Sequence, residues 1–145
     1  MAGRLEIRRA RPDELQACAD LYVAVLRETF TWLAPESHDP REFLRAARDE
    51  EVYVALEDAR LVGVASLYRP MNFVHSLYVT ERGRGIGKAL LDHLGALSDK
   101  PLSLKVQAAN LRAQAFYARE GFIETERGRD PGSDVDWIRL VRGKP

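Results

Sequence analysis

The sequence has one cysteine, Cys18, so no disulfide can close within the chain. That suits a reducing compartment, and a cytoplasmic location is the expectation. It has no excess of either charge: 22 Lys and Arg balance 22 Asp and Glu. A broad field that would draw nucleic acid or an anionic membrane is therefore missing, and neither is an expected partner. No apolar run approaches the roughly 20 residues of a membrane span. Residues 1–7 alternate polar and apolar side chains and lack the apolar core of a signal peptide. With three histidines and one cysteine, no cluster at zinc spacing forms, and no metal is expected. Internal repeats, low-complexity tracts and linkers are also missing. The 145 residues read as one domain, 1–145, with one core.

What is present is an ordinary globular balance of 46% hydrophobic and 30% charged residues, cut into short periodic segments. Leu5 and Ile7 alternate with Glu6 and Arg8 as a first strand. Pro12, as a first helical residue, opens a helix in which Leu15, Cys18, Ala19, Tyr22, Val25 and Leu26 follow helical spacing. Cys18 reads as a small buried hydrophobe of that helix. Asp39-Pro40 reads as a cap and first position of a second helix. Strands are expected over 52–56, 61–68 and Phe73–Val79, the first two as a hairpin through 58–60. A glycine loop then leads into a helix to about Leu97, with Ile86, Leu90, Leu94 and Leu97 on one face. A strand over 102–106, a helix over 111–119 capped by Asn110, and strands over 122–126 and 135–141 complete the chain. The order is β-α-α-β-β-β-α-β-α-β-β, an α/β (α+β) arrangement around a mixed sheet.

The chemistry is concentrated in Arg82-Gly83-Arg84-Gly85-Ile86-Gly87-Lys88. Alternating glycines let successive backbone N–H groups turn toward one point. The helix start adds unsatisfied N–H donors and partial positive charge, and Arg82, Arg84 and Lys88 add full charges. This suits a pyrophosphate. Two other phosphate motifs fail on the letters. The dinucleotide fingerprint starting at Gly83 needs glycine where Lys88 stands. The P-loop needs glycine where Arg82 stands and a hydroxyl residue where Ala89 stands.

Arg-Gly-Arg-Gly-Ile-Gly resembles the Gln/Arg-x-x-Gly-x-Gly/Ala signature of the GNAT acetyltransferase superfamily. Leu77-Tyr78-Val79 is similar to that family's fourth strand, and Asn110, Ala113, Phe116-Tyr117 and Gly121-Phe122 to its second conserved block. The element order agrees over roughly residues 4–141. A bacterial-type subgroup with Phe-Ile/Val-His-x-Leu-Tyr-Val and Leu-Lys-x-Gln-x-x-Asn is similar to residues 73–79 and 104–110. The chain departs from the family in one respect: only Thr80 and Glu81 separate Val79 from Arg82, a shortened approach to the loop.

The resemblance implies a mostly antiparallel sheet of about seven strands with about four helices. It also implies acetyl-CoA as co-substrate and N-acetylation of a primary amine by direct attack in a ternary complex. By position, Leu77, Tyr78 and Val79 would line the pantetheine. Arg82, Gly83, Arg84, Gly85, Ile86, Gly87 and Lys88 would hold the pyrophosphate, and Asn110 and Phe116 would flank it. Tyr117 matches the family's tyrosine at the departing sulfur, with a core aromatic as the alternative. His75 is placed by strand alternation on the face of Leu77, as general base, positioning group or packed side chain. Lys105 stands where some members carry a glutamate base. His93 is expected at the surface. Phe30, Trp32, Glu36 and His38 could form one wall of an acceptor site and Asp130, Asp134 and Asp136 attract an amine from another. A small-molecule, amino-acid or peptide amine and a monomer or homodimer are all compatible, and a noncatalytic acyl-CoA-binding module is the alternative function.

Overall fold

The computed structural model describes residues 4–29 and 39–143, without the side chain of Thr29. Phe30, Trp32, Glu36 and His38 lie outside the described residues.

Strand β1 (Leu5–Arg9) leads through a 3-10 turn, Pro12–Glu14, into helix α1 (Leu15–Thr29). The helix thus begins later than its proline suggests. The turn is held by Glu14, whose carboxylate takes two 2.7 Å hydrogen bonds from Arg8 and another from the Arg11 N–H. Helix α2 (Pro40–Ala47) starts as expected, with Asp39 accepting a hydrogen bond from the Arg41 N–H at 2.9 Å. Strands β2 (Glu51–Glu57), β3 (Arg60–Tyr68) and β4 (Phe73–Val79) form an antiparallel meander. Helix α3 (Ile86–Gly95), strand β5 (Ser103–Gln107), helix α4 (Leu111–Arg119) and the hairpin β6 (Phe122–Arg129) and β7 (Asp136–Arg142) follow. One seven-stranded sheet results, in the order β1-β2-β3-β4-β5-β7-β6.

The sheet is covered on both faces. Leu90, Leu91 and Leu94 of α3 are fully buried with Leu67, Leu102 and Leu104. Burial of each such side chain contributes about 1.5–3 kcal/mol. Gly63 of β3 lets this helix approach: a Cβ there would lie 3.0 Å from Ile86 and 3.1 Å from Leu90. On the other face Cys18 and Ala19 of α1, with Phe43 of α2, cover Val52, Val54 and Val64. Cys18 is wholly buried, and burial pushes its thiol up to about 11. His93 departs from expectation. Its ring packs 5.3 Å from the ring of Tyr53, half-buried at the end of α3.

Strands β4 and β5 diverge within the sheet. They are parallel neighbours, yet the pairing is confined to Phe73 and Ser103. That end is pinned by Asn72, a buried residue with φ of 49°. Its side-chain amide donates to the Lys100 carbonyl at 2.7 Å, and its own carbonyl accepts from the Ser103 N–H at 3.1 Å. Beyond the pin the strands separate. The register of β3 against β4 passes from Ser66–Ser76 to Leu67–Val74, so His75 is an inserted residue, a β-bulge. Bulges bend and twist the strand that carries them, which turns β4 away from β5.

The bulge also corrects the expected alternation. Residues 73, 75, 77 and 79 do not share one face. Val74, Leu77 and Val79 pack toward the α3 side, whereas Tyr78 packs toward α1. His75 is thereby released from the face of Leu77.

Candidate active site

The separation of β4 and β5 opens a cavity of about 800 Å³. It runs from His75, past Leu77 and Val79, to the loop at residues 82–88, with Asn110, Phe116 and Tyr117 of the α4 segment along its side. The residues expected at the cofactor and at the reacting groups all line this one space: His75, Leu77, Tyr78, Val79, the seven residues from Arg82 to Lys88, Asn110, Phe116 and Tyr117.

Along the cavity the main chain of β4 is available. Thr80 donates its N–H to Val62 of β3 at 2.9 Å. Main-chain groups of an extended strand alternate in direction, so those of Tyr78 also turn toward β3. Those of Leu77 and Val79 then turn to the side left open by β5. An extended chain with amide groups could add there as a strand adds to a sheet edge.

At the far end the glycine loop forms a cradle. Gly83 and Gly85 have φ of 76° and 77°, and nothing lies within 4 Å of where their Cβ atoms would be. Gly85 caps α3, whose first intrahelical bond runs from the Ala89 N–H to the Gly85 carbonyl at 3.0 Å. The N–H groups of Ile86, Gly87 and Lys88 therefore have no acceptor within the helix. Gly87 also governs packing. A Cβ there would meet the Phe116 ring at 3.1 Å, so its absence lets α3 and α4 close together. The side chain of Ile86 is buried in the core, which leaves its main chain to face the cavity.

The full charges of the loop are partly neutralised within the protein. Arg84 pairs with Glu57 and, at 3.2 Å, with Glu81. Lys88 pairs with Asp92 at 3.1 Å and lies 3.5 Å from Glu120. An anion in the cradle would be met first by backbone N–H groups and the end of the helix dipole. These features fit a coenzyme A pyrophosphate, and the open edge of β4 fits its pantetheine arm.

Tyr117 projects from α4 between Phe116 and Phe122, with ring centroids 5.2 and 5.4 Å away. Burial raises the pKa of its phenol well above the ordinary tyrosine value, so it stays protonated at neutral pH. The hydroxyl has no hydrogen-bond partner among the described residues and is available to donate. Asn110 is more fully occupied. Its side chain caps α4 by accepting from the Ala113 N–H at 3.1 Å.

His75 lies where three spaces meet: the large cavity, a groove of about 390 Å³ and a small pocket of about 130 Å³ under α2. Its Nδ1 is 2.8 Å from Oε1 of Glu50, in the turn after α2. A carboxylate only accepts, so Nδ1 is the donor of this pair, and in the neutral imidazole the lone pair then falls on Nε2. Sequence reasoning missed Glu50, because nothing local in Asp49-Glu50-Glu51 distinguishes it from a solvated turn. Asp130 and Asp136, singled out as amine attractors, are engaged elsewhere. Asp130 accepts from the Trp137 indole at 3.2 Å and Asp136 from Arg129 at 2.7 Å. Neither these two nor Asp134 lines any of the three spaces. The carboxylates that do reach the groove are Asp49 and Glu50.

Comparison with known proteins agrees with this geometry. The sequence pattern of the acetyltransferase (GNAT) family matches residues 16–122. Among solved structures, apo YjaB from Escherichia coli is 24% identical with a TM-score of 0.77, covering 95% of this chain and 97% of that one. A ribosomal-protein-alanine N-acetyltransferase from Brucella melitensis is 26% identical with a TM-score of 0.67, covering 94% and 98%. The PaiA N-acetyltransferase from Thermoplasma acidophilum, in complex with coenzyme A, is 20% identical with a TM-score of 0.73, covering 97% and 99%. No curated protein matches the chain. Among the described residues no helix is long and apolar enough to cross a membrane. The split between β4 and β5, the glycine cradle at the start of α3 and the match over residues 16–122 together place the chain in the acetyltransferase (GNAT) family.

Proposed function

We propose that the protein transfers an acetyl group from acetyl-CoA to a primary amine, by direct attack while both substrates are bound. The observation that carries this reading is the continuity of one cavity from the glycine cradle, along the open edge of β4, to Tyr117 and His75. The cradle holds the pyrophosphate, and the main chain at Leu77 and Val79 holds the pantetheine amides. An N–H of that strand edge polarises the thioester carbonyl and stabilises the oxyanion formed on attack.

The acceptor nitrogen must be neutral to attack the carbonyl carbon. His75 Nε2 takes a proton from the ammonium, directly or through water, while Glu50 fixes the tautomer. A C–N bond forms, the attacking nitrogen sheds its second proton to water, and the C–S bond then breaks. The departing thiolate receives a hydrogen bond and a proton from the Tyr117 hydroxyl, which recovers its proton from solvent.

The test is a thermal-shift titration with acetyl-CoA, followed by an amine panel read by release of free thiol. A raised melting temperature and amine-dependent thiol release are expected. Stabilisation without release on any amine would favour a noncatalytic acyl-CoA-binding module. No stabilisation at all would sink both readings.

A further inference from the structure

Lys105 of β5 and Arg139 of β7 are directly opposed in the antiparallel register. Like charges in that relation destabilise a sheet. Arg139 is partly compensated by Glu126, its neighbour on β6, at 3.3 Å. The guanidinium lies 5.9 Å over the Phe73 ring, and its Nε is buried with no hydrogen bond. Lys105 has no carboxylate at ion-pair distance among the described residues. Its ammonium is seated instead 4.1 Å from the Trp137 ring. Gly128 makes room for that ring, since a Cβ at this position would lie 2.4 Å from it. Two cations are therefore opposed in the sheet with one carboxylate, that of Glu126, at ion-pair distance among the described residues.

Both cations line the groove of about 390 Å³ that joins the large cavity through His75 and Lys105. The opposite wall has the reverse sign: Asp49, and Glu50 bonded to His75. Between them the lining is apolar, from Tyr68, Met71 and Phe73. A simple cationic amine entering here would meet Lys105 and Arg139 as like charges. A molecule with an anionic group on one side of its amine would satisfy both walls.

We propose that this groove selects an acceptor that carries a carboxylate as well as its amine, a zwitterion of amino-acid type. The carboxylate is received by Lys105 and Arg139, and the amine lies toward Glu50 and His75. The assignment rests on the transfer reading above and narrows its substrate class.

The test uses matched sets at one pH: a free amino acid, its carboxamide and its decarboxylated amine. With acetyl-CoA, kcat/KM for the free acid should exceed that of the carboxamide by at least about tenfold, the worth of one charged hydrogen bond. In Lys105→Met and Arg139→Gln that ratio should collapse, mainly through KM, and Lys105→Arg should restore most of it. Equal rates for acid and carboxamide in the wild type would overturn the proposal, as would a proportional loss on both in Lys105→Met. Calorimetric titration of the same compounds into coenzyme A-bound protein gives a readout free of turnover. Binding of the acid that is weakened at least about tenfold by Lys105→Met supports the groove, and indifference to the carboxylate overturns it. Failure of the transfer reading itself would show separately, as no thermal shift with acetyl-CoA or as no thiol release with any amine of the panel.

Discussion

His75 and Glu50 meet at 2.8 Å across 25 positions of sequence, joining the bulge of β4 to the turn that follows α2. The Glu50 side chain is only 7% exposed, while that of His75 is 51% exposed. A shielded carboxylate thus holds a histidine that remains open to the cavity. This division is what a proton acceptor with a fixed orientation requires.

Replacing His75 by Gln should lower kcat by about a hundredfold, the low end of what a positioned base contributes. Glu50→Gln keeps a hydrogen-bond acceptor but loses the charge, and should cost about tenfold in kcat. Acetyl-CoA affinity, read by thermal shift, should change little in either case. Full activity in the His75 variant would remove it from the mechanism.

Tyr117→Phe should abolish most turnover and retain coenzyme A binding. Burial raises the phenol pKa, so the hydroxyl keeps its proton through the alkaline range where an exposed tyrosine, near 10, would lose it. Any alkaline loss of kcat that depends on Tyr117 should accordingly begin above about pH 10. A Tyr117-dependent limb below about pH 9 would contradict the burial argument.

Gly85→Ala forces an alanine to φ near 77°, where nothing crowds its Cβ but the backbone itself is strained. The cost should be about 1–2 kcal/mol, whether read as lost stability or as a distorted cradle. Calorimetry should show weakened coenzyme A binding together with a lower melting temperature. Unchanged binding would mean that the cradle does not receive the pyrophosphate.

Glu51 accepts from Arg69 at 2.7 and 2.9 Å and from the Tyr53 hydroxyl at 2.7 Å, and these bonds lower its pKa from 4.5 to about 2. A carboxylate with a depressed folded-state pKa adds stability that is fully present above pH 4.5 and lost as pH falls to about 2. Glu51→Gln should therefore destabilise the protein by about 1–2 kcal/mol at neutral pH, an ion pair partly screened by solvent. The difference from wild type should shrink toward pH 2 in urea unfolding. A difference that stays constant with pH would assign the effect to packing instead.

Gly128→Ala should displace the Trp137 ring, because the added methyl would overlap it at 2.4 Å. Lys105 then loses its seat. The expected readout is a change in tryptophan fluorescence and a larger loss on carboxylate-bearing acceptors than on their amides. An unaltered emission spectrum would mean that the hairpin absorbs the methyl by a backbone shift.

Much of the fold could be read from local pattern because its signals are local. Asp39-Pro40 and Asn110 are helix starts by side-chain chemistry alone, and both caps are present in the structure. The glycine loop was legible for the same reason: a positive φ and a free helix start need only neighbouring residues. The strand expected over 73–79 and the helix expected over 111–119 are β4 and α4 at their observed bounds. The bulge at His75 was not legible, since an inserted residue is defined only against its partner strand. That one insertion moved His75 off the face assigned to it.

By itself, then, the sequence determined the elements, their order, the glycine loop at the start of α3 and the residues that flank it, since each depends on side chains a few positions apart. Tertiary structure alone decided how far β4 and β5 separate, which carboxylate holds His75, and that Lys105 and Arg139 stand together over a groove. These are relations between segments distant in the chain, set by register, strand bending and helix packing, and no local periodicity encodes them.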